Sequence, residues 1–146
     1  MHLAGDQSGG NLALIEHQAE RGYRTPLHVH RQDDETLVAL YGTVGLRAGV
    51  AEYTIGSGET VYLPRGIPHA FIVTSRTARL LTCHTPAGFD QLVRQLGIPA
   101  AHDWAGLPGE AIDILASVEV NRRFGIEVVG PPLPLPSPPA TIGPTS

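Results

Sequence analysis

Hydrophobic residues fall into short stretches through the first half of the chain. Examples are NLALIEHQA, TVGLRAG, ETVYLP and AFIVTS, which lie between positions 11 and 75, and in TVGLRAG every second residue is apolar. Glycines separate such stretches at short spacing, among them Gly42, Gly49, Gly58 and Gly66. Many short strand-like stretches with glycine or proline turns are typical of a β-sandwich or β-barrel. We therefore predict an all-β barrel domain over residues 1–85.

The period becomes helical after Pro86. One apolar stripe, followed by Gly97 as a stop, consists of Phe89, Leu92, Val93 and Leu96. A second stripe, within residues 109–125, consists of Ile112, Leu115, Ala116 and Val120. Its acids come early and its arginines late, as the helix dipole favours. With the strand-like IEVV at 126–129, these patterns predict a short helical extension, residues 86–129, packed on the barrel.

Prolines dominate the end of the chain, GPPLPLPSPPATIGPTS. So many prolines exclude regular helix or central strand, so residues 130–146 are predicted to be an extended or irregular tail. Leu133 and Leu135 allow its first half to pack on the body. Residues from about Pro136 onward are expected to be dispensable for folding.

Composition narrows the classes of protein. Of 146 residues, 42% are hydrophobic and 16% charged, which indicates a folded globular chain. The net charge of −4, with no basic stripe, argues against a nucleic-acid partner. All ten cationic residues are Arg, which excludes lysine Schiff-base chemistry and a Walker-type phosphate site.

Cellular context is inferred from what the sequence lacks. Cys83 is the sole cysteine, so no internal disulfide argues for secretion. The first residues do not resemble a signal peptide, and no apolar run approaches the roughly 20 residues that span a bilayer. We expect a cytoplasmic protein without a membrane partner.

The stretch HVHRQDDE, from His28 to Glu35, concentrates imidazole and carboxylate in eight residues. Residues alternate faces along a strand, so His28 and His30 project from the same side. Two imidazoles on one face of a strand, followed by acids, indicate a metal site, because neutral imidazole is the commonest metal ligand. Taken alone, the stretch also fits the solvated end of a strand.

The surrounding residues extend this pattern into two motifs. The first, Gly22 to Gly42, reads G-x5-H-x-H-x4-E-x6-G, and the second, Gly58 to His69, reads G-x5-P-x-G-x2-H. These nine positions resemble the two signature motifs of the cupin superfamily. More loosely, the chain resembles small stand-alone bacterial cupins of the quercetin dioxygenase-like type. One departure is Val73, where the second motif usually has Asn, and this makes the wall of the barrel more apolar.

The resemblance implies a double-stranded β-helix, the cupin jelly-roll barrel. It also implies that one metal ion is held by His28, His30, Glu35 and His69. Three imidazoles and a carboxylate suit a divalent ion of Fe, Mn, Ni, Cu or Zn. Asp33 and Asp34 fall outside the motif register and are predicted to be turn or surface acids.

Residues that share strand parity with the ligands are predicted to line a substrate pocket, with plain core packing as the alternative for each: Leu37, Ala39, Phe71 and Val73. His84 and Cys83 are neighbours on a strand, so one of them faces inward. His84 is a candidate pocket residue with an acid/base role. Trp104 is predicted to anchor the segment between the helices, and three histidines to lie on the surface: His2, His17 and His102.

The resulting functional hypothesis is a metal-dependent dioxygenase that acts on a small aromatic or enolisable molecule. Glu35 would be both a ligand and a general base for the substrate hydroxyl. The alternatives are a redox-neutral cyclase or isomerase of polyketide-like molecules and a non-catalytic small-molecule-binding cupin, because one fold supports many functions. A homodimer is expected.

Overall fold

A computed structural model describes residues 1–97 and 118–135 and contains two antiparallel sheets. The strands are β1 (Ala13–Glu20), β2 (Leu27–His30), β3 (Asp34–Tyr41), β4 (Val44–Ala48), β5 (Ala51–Ile55), β6 (Thr60–Leu63), β7 (His69–Val73), β8 (Thr77–Thr85) and β9 (Ile126–Gly130). One sheet has the order β1-β8-β3-β6, and the other β5-β4-β7-β2-β9. The predicted all-β architecture is confirmed.

The inner faces of the two sheets form the main hydrophobic core. The core residues come from strands of both sheets and are Leu37, Ala39, Val44, Leu46, Ile55, Leu63, Phe71, Val73, Ala78 and Leu80. Burial of each large apolar side chain contributes about 1.5–3 kcal/mol. Strand β7 is buried at all five positions, as expected for the centre of a five-stranded sheet.

Two glycines in turns have positive φ, a backbone conformation that other residues rarely adopt. Gly42 has φ of +82°, and a Cβ there would collide with the carbonyl oxygen of Thr77. Gly66 has φ of +84° and donates its N–H to the carbonyl oxygen of His30 at 2.8 Å. Since Gly66 precedes β7, this hydrogen bond ties the start of β7 to the end of β2.

The C-terminal part forms two short helices and β9. Helix α1 (Phe89–Leu96) matches the first predicted helix, and α2 (Val118–Arg123) lies within the second. The rest of that predicted helix, with Ile112, Leu115 and Ala116, lies outside the described residues, as do His102, Trp104 and the tail from 136 onward. In the described part of the chain, no helix has the length and apolar character needed to cross a membrane.

Strand β9 extends the sheet beside β2. Ile126 pairs with His30, and Val128 pairs with His28. Ile126 is buried and packs with Leu92 of α1 in a second apolar cluster. The C-terminal segment thus supports the strand that carries the HxH pair.

His17 is half-buried and lies on the side of β1 that carries the buried Ala13 and Ile15, so the prediction that it is a surface residue is wrong. Its Nε2 lies 3.2 Å from Oγ1 of Thr82. Burial removes water from His17 and lowers its pKa to about 4. The Glu35 charge acts in the opposite direction, raising the pKa of His17, but its effect is smaller. His2, in contrast, is exposed and pairs with Glu16, as predicted for the surface.

We predict that Ile126→Ala lowers the free energy of unfolding by about 2–5 kcal/mol, because it leaves a cavity between β9 and α1. Val129→Ala is the matched control on the same strand, since Val129 is 43% exposed, and it should change stability by less than about 0.5 kcal/mol. Urea denaturation measures both. Equal losses in the two variants would contradict this role of Ile126.

We also predict that His17 makes the metal-free protein sensitive to acid. Its folded pKa lies below that of the unfolded chain, so the unfolded state binds the proton first, and stability falls as the pH drops from about 6.5 to about 4. The contribution is at most about 1.4 kcal/mol per pH unit. In urea titrations over this range, wild type should lose stability relative to His17→Gln. Parallel curves for the two proteins would refute the prediction.

Candidate metal centre

Three histidines from the five-stranded sheet converge inside the barrel. His28 and His30 project from the same side of β2, and His69 of β7 lies opposite His28 in the strand register. Each is at most 4% exposed. The ring centroids lie 5.2 Å (His28 and His30), 4.4 Å (His28 and His69) and 5.3 Å (His30 and His69) apart.

Glu35 reaches this group from β3 of the other sheet. Its Oε2 lies 3.1 Å from Nε2 of His69 and 3.7 Å from Nε2 of His30. Burial alone would raise the pKa of Glu35, but the His69 hydrogen bond and the neighbouring imidazoles hold that pKa well below its usual range. The carboxylate is therefore anionic at neutral pH.

Hydrogen bonds at Nδ1 orient all three imidazoles. Nδ1 of His28 lies 2.8 Å from the carbonyl oxygen of Pro26, and Nδ1 of His69 lies 3.0 Å from that of Ile67. Nδ1 of His30 lies 2.9 Å from Oδ2 of Asp33. A carbonyl or carboxylate oxygen only accepts, so each Nδ1 carries a proton and each Nε2 is the nitrogen available to a metal.

The donor set fits a transition-metal ion. One ligand atom from each of His28, His30, Glu35 and His69 lies within 4.8 Å of every other. Burial lowers the pKa of His28 to about 3, helped by the nearby His69 and His30, so it is neutral at neutral pH as a ligand must be. Burial also disfavours a charge on His69, but the hydrogen bond with Glu35 outweighs it and raises the pKa of His69.

The two aspartates before Glu35 have different surroundings. Asp33 is 4% exposed and accepts hydrogen bonds from His30 and His84, so the prediction of a turn or surface acid is wrong for it. The connection from β2 to β3 passes between the sheets and turns residue 33 inward. Asp34 faces outward, where the guanidinium of Arg65 binds its two oxygens at 3.0 Å each.

Of the neighbours Cys83 and His84, His84 is the one that faces inward. It is 1% exposed and pairs with Glu35 in the register of β3 and β8. Its Nε2 lies 3.1 Å from Oγ1 of Thr82, and the ring of Phe89 stacks on it at 4.4 Å. The sequence interpretation missed Thr82 and Phe89, although Thr82 shares strand parity with His84.

The apolar residues predicted to line a pocket all belong to the main hydrophobic core: Leu37, Ala39, Phe71 and Val73. They are at most 7% exposed and pack against one another and against the residues of the opposite sheet. Their observed role is packing, which was the alternative for each, and a role in substrate binding stays a prediction.

Part of the chain is similar to proteins of known family. The family model for the cupin domain matches residues 15–84. The chain is 28% identical over 101 residues to quercetin 2,3-dioxygenase of Bacillus subtilis (strain 168), a match that covers 68% of this chain and 30% of the enzyme. It is 30% identical over 79 residues to the HTH-type transcriptional regulator PuuR of Escherichia coli (strain K12), a match that covers 53% of this chain and 43% of the regulator. The chain thus spans less than half the length of these relatives.

Solved structures show the same fold. KdgF from Halomonas sp. superposes with a TM-score of 0.54 at 15% identity, over 56% of this chain and 74% of that one. An RmlC-like cupin from Shewanella frigidimarina NCIMB 400 superposes with a TM-score of 0.52 at 16% identity, over 56% of this chain and 72% of that one. The domain match, the two-sheet architecture and the motif residues brought together inside the barrel show that residues 15–84 of this chain form a cupin domain.

Proposed function

We propose that this chain is a mononuclear metal-dependent dioxygenase for a small aromatic or enolisable molecule. The observation that carries the proposal is the convergence of His28, His30 and His69 on the Glu35 carboxylate, with every Nδ1 hydrogen-bonded away from the centre. The similarity to a quercetin 2,3-dioxygenase over 101 residues supports this choice of reaction.

The four residues would hold one divalent ion of Fe, Mn, Ni, Cu or Zn. When bound, such an ion supplies a Lewis acid, and a redox-active one also supplies electron transfer with O2. The protein orients the imidazoles through the carbonyl oxygens of Pro26 and Ile67 and excludes water by burial. The apolar core next to the ligands favours a flat organic substrate over a sugar or a phosphate.

Glu35 is the residue proposed to accept the substrate hydroxyl proton at its carboxylate. It is buried, anionic and adjacent to two ligand histidines. Its low pKa makes it a weak base, so it suits a hydroxyl that is itself acidic, as in enols and phenols.

A second candidate is a non-catalytic cupin that binds a small molecule. It is favoured by the similarity to a transcriptional regulator over 79 residues. The metal ligands are compatible with both candidates, so turnover distinguishes them. The homodimer and the cytoplasmic location also stay predictions.

The chain should bind close to one metal ion, and binding should depend on His69. Zn(II) at 100 times its Kd should stabilise wild type by about 2.7 kcal/mol. His69→Ala should lose most of this stabilisation and still fold, whereas His2→Ala, which changes an exposed histidine, should keep it. Elemental analysis and thermal unfolding with and without Zn(II) test this. A His69→Ala protein that is destabilised equally with and without metal would show that His69 is only structural.

Glu35→Gln should lower turnover by about 10²–10⁴-fold even when the site is saturated with metal, because Gln retains a coordinating oxygen but does not accept the proton. The assay follows oxygen uptake with flavonols, 1,3-diketones and catechols. Wild-type turnover in Glu35→Gln would remove the base role. Turnover without oxygen uptake would favour the cyclase or isomerase, and absence of turnover with every metal would favour the non-catalytic binder.

A further inference from the structure

A second buried polar cluster lies directly behind the candidate metal centre. Oδ2 of Asp33 accepts from Nδ1 of His30 at 2.9 Å and from Nδ1 of His84 at 2.8 Å. Nε2 of His84 lies 3.1 Å from Oγ1 of Thr82, which lies 3.2 Å from Nε2 of His17. A continuous series of hydrogen-bond contacts therefore connects the proposed ligand His30 with His17 on β1.

The chemistry of Asp33 sets the direction of its two hydrogen bonds. A carboxylate oxygen accepts, so Nδ1 of His30 and Nδ1 of His84 both donate to Oδ2 of Asp33. On the other side of the His84 ring, Nε2 lies 3.1 Å from the Thr82 hydroxyl. Two imidazoles, one from β2 and one from β8, therefore fix the position of the Asp33 carboxylate.

His30 differs from the other two proposed ligands in what accepts its Nδ1 proton. His28 and His69 donate to backbone carbonyl oxygens, whose positions are set by the chain itself. His30 donates to a side chain, and that side chain has its own support from His84. An anionic acceptor makes the opposite nitrogen more electron-rich and holds the ring in one tautomer.

We propose that Asp33 is a positioning residue for the metal centre, which presents Nε2 of His30 to the metal, and that His84 holds Asp33 in place. This inference rests on the proposed function, because it needs His30 to be a ligand. It assigns to Asp33 and His84 a role that lies outside the nine motif positions. His17 and Thr82 complete the support at the far end.

A second metal ion on His30, Asp33 and His84 is the competing explanation, because their ligand atoms also lie within 4.8 Å of one another. It would require His30 to bind through both ring nitrogens and therefore to lose both protons. The distances of 2.8 and 2.9 Å are those of charge-assisted hydrogen bonds, which account for all three groups without an ion.

The test compares Asp33→Asn and Asp33→Ala with Asp34→Asn, the matched control. Asp34 is the neighbouring carboxylate but faces outward to Arg65. Zn(II) affinity is measured by competition with a chelator. Both Asp33 variants should bind Zn(II) about 10–100-fold more weakly, with Asp33→Ala the weaker, and Asp34→Asn should match wild type. Asp33→Asn retains an accepting oxygen and nearly the same shape, so it keeps the test valid where Asp33→Ala fails to fold.

A second readout uses the metal-free protein. Side-chain nitrogen NMR should show the His30 proton on Nδ1 in wild type and Asp34→Asn, and a mixture of tautomers in Asp33→Ala. His84→Ala should weaken Zn(II) binding less than Asp33→Ala does, and His84→Asn should restore part of the loss, because its amide can donate to Asp33.

Three outcomes overturn the inference: Zn(II) affinity within twofold of wild type in both Asp33 variants, an unchanged His30 tautomer in Asp33→Ala, or two Zn(II) ions per wild-type chain. Failure of the proposed function is distinguishable from these. Absence of turnover in wild type would remove the dioxygenase, while Zn(II) affinity and the His30 tautomer would still decide whether Asp33 positions His30.

Discussion

The structure depends on a single constraint, which is the burial of ionisable side chains between two sheets. The imidazoles of His28, His30 and His69 and the carboxylates of Asp33 and Glu35 are each at most 6% exposed. A buried polar group without a partner costs about 1–3 kcal/mol, and a charged one costs more. The hydrogen bonds at Nδ1 offset this cost for the three imidazoles. They also set the tautomers in which Nε2 is the nitrogen available to a metal ion.

Two strand registers bring the site together. The pairing of β2 with β7 places His28 opposite His69, and the pairing of β3 with β8 places Glu35 opposite His84. A one-residue slip of β7 would turn His69 to the outer face, and a slip of β3 would do the same to Glu35, because side chains alternate along a strand. The same apolar residues that specify the core therefore specify the geometry of the site.

The cupin domain accounts for the fold, whereas the reaction depends on the residues around the ligands. The matched relatives include an enzyme and a transcriptional regulator, so similarity alone does not choose between turnover and binding. Behind the ligands, the hydrogen-bonded chain from Asp33 to His17 gives the proposed ligand His30 a polar support. Such a support changes the environment of a ligand without changing the ligand itself.

The strands and the candidate ligands could be predicted from the sequence. Short apolar stretches between glycine turns predict strands, and the HxH pair followed by acids indicates a metal site. The full set of His28, His30, Glu35 and His69 follows from the resemblance to the two cupin motifs. Strand alternation, however, holds only inside regular strands. Asp33 lies in the connection between the sheets, where the path of the chain decides which side chain turns inward. The inward position of His17, the pairing of β9 with β2 and the contact of Phe89 with His84 join segments far apart in sequence. Only the folded structure shows these features, because they depend on how the two sheets pack together, and the local pattern of apolar residues carries no information about that packing.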